Sequence, residues 1–112
     1  MSSTAIRNKF KKGFLELIIL SLLKDQDLYG YEMVKLFSER CDGALSVLES
    51  TLYPTLYKLE EKGLISHQRI KTSVRQHKVF YHLEEPGRKR LEEILPEYHI
   101  TMKAVNQILG FE

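Results

Sequence analysis

The sequence predicts a mainly α fold with a small β-hairpin, because the spacing of its apolar residues changes after Gly63. Before Gly63, apolar residues recur every three or four positions, which is the period of one helical face. After it, two short stretches rich in β-branched and aromatic residues flank a polar turn, as in a hairpin. The length of 112 residues fits one domain.

Three helices are predicted before the hairpin. Residues 14–23 are apolar nearly all the way round, which indicates a buried central helix. Residues 30–41 form a second, amphipathic helix, and residues 49–62 form a third. The third helix has its apolar face at Leu52, Leu56 and Leu59.

The ends of the third helix carry recognisable stop and start residues. Gly63 is expected to end it, since a residue without a Cβ adopts the left-handed cap at least cost. Ser46 with Glu49 predicts a capping box at its start, and Ser50 is the alternative cap for a later start.

The hairpin strands are predicted at residues 64–72 and 78–83, and a final helix follows from "EEPG" to about residue 109. Three helices and a hairpin describe a winged helix-turn-helix, whose third helix enters the DNA major groove while the hairpin touches the flanking backbone. We therefore expect a winged helix-turn-helix DNA-binding domain at residues 1–84 and a dimerisation helix at residues 85–112.

Charge supports a polyanionic partner. The net charge is only +2, but residues 1–15 hold four bases and no acid, and residues 62–83 hold five bases and no acid. A surface helix is often polar outward without binding anything, and the adjoining acid-free stretch favours DNA contact instead. The candidate DNA-binding residues are Thr51, Tyr53, Tyr57 and Lys58 on the third helix, Arg75 and Lys78 on the hairpin, and Lys11 and Lys12 in the first basic block.

The final helix carries a heptad seam, with apolar residues spaced alternately four and three apart. Such a stripe packs either on its own domain or on a second copy, and we favour a homodimer because the domain already has a leucine core. A ligand pocket between subunits would lie beside Phe14, Tyr98 and Met102. The seam consists of Leu91, Leu95, Tyr98, Met102, Val105 and Leu109.

Other classes of protein are disfavoured. The single cysteine excludes an internal disulfide and fits the cytoplasm, and no apolar run is long enough to span a membrane. The four histidines lack metal-ligand spacing, and no phosphate loop or nucleophile motif is present, so we expect neither a metal, a cofactor nor an enzyme.

Three motifs make the chain resemble the PadR family of bacterial transcriptional regulators: "YGYE" at residues 29–32, "TLYPTLYKLEEKGLI" at residues 51–65, and "YHL" followed by Gly87. The resemblance implies a homodimer that represses transcription from a partly palindromic operator, often relieved by a small aromatic or otherwise toxic compound. Glu84 stands where the family usually has Thr, and the hairpin is less basic than the family pattern.

Two rival functions stay open at this level. A winged-helix module that binds protein has no need of two basic blocks, so charge discriminates against it. A ligand sensor with a secondary DNA role would depend on the pocket beside Tyr98.

Overall fold

A computed structural model describes residues 3–111, so residues 1–2 and 112, the outer ends of the two predicted domains, lie outside the described part of the chain. The elements run in the order α1 (Ser3–Lys11), a short 3₁₀ turn (Lys12–Phe14), α2 (Leu15–Leu23), β1 (Leu28–Tyr29), α3 (Gly30–Glu39), α4 (Glu49–Glu61), β2 (Ile65–Ser73), β3 (Gln76–Leu83) and α5 (Glu85–Leu109).

The predicted fold class is confirmed: helices dominate, and β2 and β3 form the hairpin. Two elements were not predicted. The first basic block forms α1, which lacks a buried apolar stripe, and β1 makes the sheet three-stranded in the order β1-β3-β2. β1 is two residues long and forms through its antiparallel pairing with β3. The local sequence has the residues of a turn, so it does not by itself predict a strand.

The core is built around α2, whose Ile19 and Leu20 are fully buried. The leucine face of α4 packs into the same cluster, as predicted. Gly63 ends α4 with a positive φ of 73°, which confirms the predicted stop. The predicted capping box is wrong: Leu48 occupies the N-cap without a side-chain hydrogen bond, and the Ser46 carbonyl instead accepts a bond from Lys11.

The first half of α5 is attached to this core. Leu91 is buried in the core cluster, so we remove it from the predicted dimer interface. Gly87 lies so close to the Leu64 carbonyl oxygen that a Cβ would collide with it, which explains the glycine after "YHL". Glu84 does not cap the helix with its side chain, and its Oε1 accepts a hydrogen bond from Ser66 at 2.7 Å.

No helix within residues 3–111 combines the length and the hydropathy needed to cross a membrane.

Candidate nucleic-acid interface

The side of α4 opposite its leucines is open. Tyr57 is 58% exposed and Lys58 is exposed beside it. Thr51, in the first turn of α4, is half-buried, and its backbone carbonyl accepts a hydrogen bond from Thr55 Oγ1 at 3.1 Å. These side chains can donate hydrogen bonds to phosphates and base edges, as the sequence predicted for them.

Tyr53 lies differently from its neighbours on α4. Its ring is half-buried against Gly30 at the start of α3, where a Cβ would collide with the Tyr53 hydroxyl. Burial raises the pKa of Tyr53, and the nearby Glu49 and Tyr57 raise it further. Tyr53 therefore fits α4 onto α3, and the glycine of "YGYE" makes room for the tyrosine of "TLYPTLY".

A hydrogen bond links the hairpin to the C-terminal end of α4: His67 Nδ1 on β2 donates to Glu60 Oε1 at 2.5 Å. Within the hairpin, the His67 ring lies 6.0 Å from the ring of Tyr81 on β3. Burial raises the pKa of Tyr81 to about 12, with Tyr57, Tyr53 and Glu60 adding to the shift. Tyr81 is thus an uncharged hydroxyl at neutral pH, and this face of the sheet is the one that packs on α4.

The same sheet face carries bases that the sequence reasoning did not select. Side chains alternate along a strand, so Arg69 and Lys71 on β2 share the face of His67. His77 pairs with Lys71 in the register of β2 and β3, and all three outer side chains are exposed. The signal in the sequence that would have identified these residues is the alternation of side chains along β2, counted outward from His67.

Lys78 and Arg75, which the sequence did select, lie elsewhere on the hairpin. Lys78 is on the opposite face, where its Nζ lies 4.1 Å from the centre of the Tyr29 ring. Tyr29 in turn contacts Phe80 edge-on, with ring centres 5.4 Å apart. Arg75 is at the exposed tip beside Val74.

A DNA-binding role led us to expect Lys11 on the outer surface, but its side chain is buried. It is 8% exposed, and its Nζ donates a hydrogen bond to the Ser46 carbonyl at 2.6 Å. Arg7 Nη1 donates to the Ala44 carbonyl at 3.3 Å, so two side chains of α1 bind the loop before α4. Lys12 remains exposed.

The second half of α5 extends beyond the core with part of the predicted seam uncovered. Val105 is 38% exposed and Leu109 is 62% exposed, whereas Met102 is half-buried. Tyr98 contacts Phe14 edge-on, with ring centres 5.7 Å apart.

Tyr98 lies between two grooves. One, of about 320 Å³, is lined mainly by apolar side chains of α2, α3 and α5, including Leu17, Phe37 and Leu95. The other, lined by Phe14 and Tyr98 among others, runs along α5. Met102 is among the lining residues of neither, so of the three predicted pocket residues the structure brings together Phe14 and Tyr98.

Within residues 3–111, no three His, Cys, Asp or Glu side chains are grouped so as to hold a metal ion. Two of the histidines instead pair with acids, His67 with Glu60 and His82 with Asp27, the latter at 2.7 Å.

A helix-turn-helix formed by α3 and α4, followed by a basic hairpin bound to α4, defines a winged-helix DNA-binding domain. The family model described as "Transcriptional regulator PadR-like family" matches residues 19–93, and the chain belongs to that family. The resemblance drawn from the three motifs is thereby confirmed, and the family consists of transcription regulators rather than enzymes.

Solved structures agree with this assignment. A transcriptional regulator from Clostridium thermocellum aligns with a TM-score of 0.81 at 29% identity, covering 88% of this chain and 96% of that one. A PadR family transcription regulator from Clostridium difficile R20291 aligns with a TM-score of 0.77 at 32% identity, covering 87% and 99%.

A third relative has been solved on DNA. The negative transcriptional regulator PadR of Bacillus subtilis is 31% identical over 81 residues, which are 72% of this chain and 44% of that protein. Its crystal structure in complex with operator DNA aligns with a TM-score of 0.67. The chain spans less than half the length of this relative.

Proposed function

We propose that this protein represses transcription by binding a partly palindromic DNA operator as a homodimer, and that a small aromatic or hydrophobic compound releases it. The observation that carries the proposal is one surface: the open side of α4 continues, through the His67–Glu60 hydrogen bond, onto the basic face of the hairpin. The Bacillus subtilis relative, whose structure is a complex with operator DNA, supports DNA binding by this chain.

Base reading belongs to α4. Thr51 and Tyr57 carry the hydroxyls that can reach base edges, and Lys58 beside them can hold a phosphate. Tyr53 supports them by fixing α4 against Gly30. A single bidentate or well-placed contact of this kind is worth about 1–3 kcal/mol of discrimination between bases.

Phosphate binding belongs to the hairpin. Arg69, Lys71 and His77 extend outward on the face that packs on α4, and Arg75 continues the basic surface to the tip. Cationic side chains at these positions fix the domain on the duplex without reading sequence. Lys78, on the other face over Tyr29, would contact the backbone from the side of α3.

The homodimer is formed by the outer half of α5. Val105 and Leu109 are exposed in the single chain and continue the heptad spacing from Leu95, Tyr98 and Met102. Burying these side chains against a second α5 removes apolar area from water, which stabilises the pair. Two domains related by a two-fold axis would bind half-sites about 10 base pairs apart, or a multiple of this.

The effector site is the apolar groove of about 320 Å³ between α2, α3 and α5. Its size and lining fit a small hydrophobic or aromatic molecule, and Tyr98 offers an aromatic wall. A compound bound there contacts both the DNA-binding domain and α5, so it can change the angle between the two operator-reading surfaces.

The test separates reading from positioning. Genomic fragments that the purified protein retains identify the operator. Arg69→Ala and Lys58→Ala should then weaken binding to the operator and to other sequences alike, and each should lower the log–log slope of affinity against salt concentration by about 1. Thr51→Ala and Tyr57→Phe should relax preference at particular base pairs. Lys24→Ala, a basic residue between α2 and β1 beside Asp25, is the control and should change neither quantity. Absence of any retained fragment would favour a protein-binding module instead.

A further inference from the structure

A small pocket lies between α1 and the start of α4, and it shares only Thr51 with the surface assigned to base reading and hairpin contacts. Its volume is about 250 Å³. We call it the α1–α4 pocket, and its lining residues are Thr4, Asn8, Lys11, Lys12, Ser46, Leu48 and Thr51.

The electrostatics of this pocket depend on Lys11. Lys11 is the buried charged side chain of the described residues, and within residues 3–111 it forms no ion pair with a carboxylate. An ammonium group has three donors, and the bond to the Ser46 carbonyl uses one. A buried cation without a counter-charge is costly, so an anion in the pocket would be stabilised by it.

The rest of the pocket wall adds donors and no competing negative charge. Lys12 supplies a second ammonium, Asn8 an amide, and Thr4 and Thr51 their hydroxyls. No Asp or Glu of the described residues lines the pocket, although Glu49 lies in the same first turn of α4. Two cations and neutral donors from two helices are the groups that bind a phosphate oxygen cluster.

The position of the pocket points to the source of the phosphate. It opens beside Thr51, in the first turns of the helix that we assign to base reading, and the N-terminal residues of such helices lie at the DNA groove. We propose that the α1–α4 pocket binds one phosphate group, supplied by the DNA backbone next to the groove or by a free phosphate-bearing molecule. The DNA source rests on the proposed function, whereas the free source does not.

The first experiment uses a duplex of mixed sequence and about 30 base pairs, three helical turns, because a phosphate contact is independent of sequence. Lys12→Gln should lower affinity roughly tenfold, the effect of one charge-assisted hydrogen bond, and reduce the log–log salt slope by about 0.9. The matched control is Lys9→Gln, which removes the same charge from an exposed residue of α1, three positions before Lys12 and outside the pocket. Its effect on affinity should be clearly smaller.

The second experiment titrates inorganic phosphate into the DNA-free protein at constant ionic strength. Saturable amide NMR shifts at residues 46–51, abolished by Lys12→Gln and retained in Lys9→Gln, would identify a site for free phosphate. Asn8→Ala provides a second variant that leaves the Lys11–Ser46 bond in place.

The outcomes distinguish the sources. If Lys12→Gln selectively weakens DNA binding and phosphate causes no saturable NMR shifts, the pocket binds the DNA backbone. If saturable shifts appear without selective weakening, it binds free phosphate. If both appear, it binds phosphate from either source. If Lys12→Gln weakens DNA binding no more than Lys9→Gln does, and phosphate causes no saturable shift, the proposed phosphate site is wrong. Tyr57 does not line the pocket, so base preference measured on Tyr57→Phe tests the proposed function separately, and either proposal can fail without the other.

Discussion

The leucine stripe of α4 and the heptad seam of α5 have the same alternating spacing, yet they lie in opposite environments. Leu56 of α4 is fully buried within its own chain, whereas Leu109 of α5 is 62% exposed. Between them, Leu91 is buried in the core and Ile94 still packs against it, after which α5 continues beyond the core. Periodicity alone identifies a face that must be covered, and the position of the helix relative to the core decides whether the same chain covers it.

The largest effect is expected for the buried stripe. Leu56→Ala should lower the free energy of unfolding by about 2–5 kcal/mol, because it removes buried methyl groups and leaves a cavity. Denaturant unfolding, followed by circular dichroism at a protein concentration where the chain is monomeric, measures this. Leu109→Ala deletes the same atoms at an exposed site and should cost much less there. Equal losses in the two variants would contradict the distinction between core and seam.

The second prediction places two charges in the outer seam. Val105→Asp with Leu109→Asp should give a folded monomer, since each unpaired charge buried at an interface costs several kcal/mol, more than a small interface can provide. Light scattering gives the oligomeric state, and operator binding should be lost with the dimer. Ile108→Asp is the control, because Ile108 is 85% exposed and lies off the seam. If the double variant stays dimeric, the interface lies elsewhere, and a monomer with normal operator binding would contradict two-fold recognition.

The smallest effect concerns the attachment of α5 to α2. Arg90 Nε lies 3.4 Å from Glu16 Oε1, and both side chains are partly exposed. Arg90→Gln should lower the free energy of unfolding by less than about 1 kcal/mol, as expected of a surface ion pair, and by less still in high salt. Chemical denaturation at two salt concentrations measures this. A loss as large as that of Leu56→Ala would mean that this ion pair, and not Leu91, holds α5 to the domain.

The sequence predicted the parts of the fold that depend on local pattern. The stripe of α4, its end at Gly63 and the β2–β3 hairpin follow from spacing, backbone freedom and β-propensity. β1 was missed because it forms only when Leu28 and Tyr29 meet β3, and no local pattern records that pairing.

The candidate site was predicted less fully, because a residue type does not reveal which face it occupies. Lys11 and Tyr53 have the chemistry of DNA contacts, and the structure adds contacts within the chain that the sequence did not predict, Lys11 with the Ser46 carbonyl and Tyr53 against Gly30. Arg69 and Lys71 lie on the same face of β2 as His67, and the pairing of His67 with Glu60 places that face beside α4. That pairing joins two elements and is absent from the pattern of either.

The uninterrupted length of α5 has a mechanical consequence. The helix runs for 25 residues, through Pro96, and its start is held where Gly87 meets the Leu64 carbonyl. At 1.5 Å per residue it forms a lever of roughly 37 Å, so each degree of tilt at the fixed end displaces the far end by roughly 0.6 Å. A side chain that changes rotamer near Tyr98 acts about halfway between Gly87 and Leu109, so the displacement it causes is roughly doubled at Leu109.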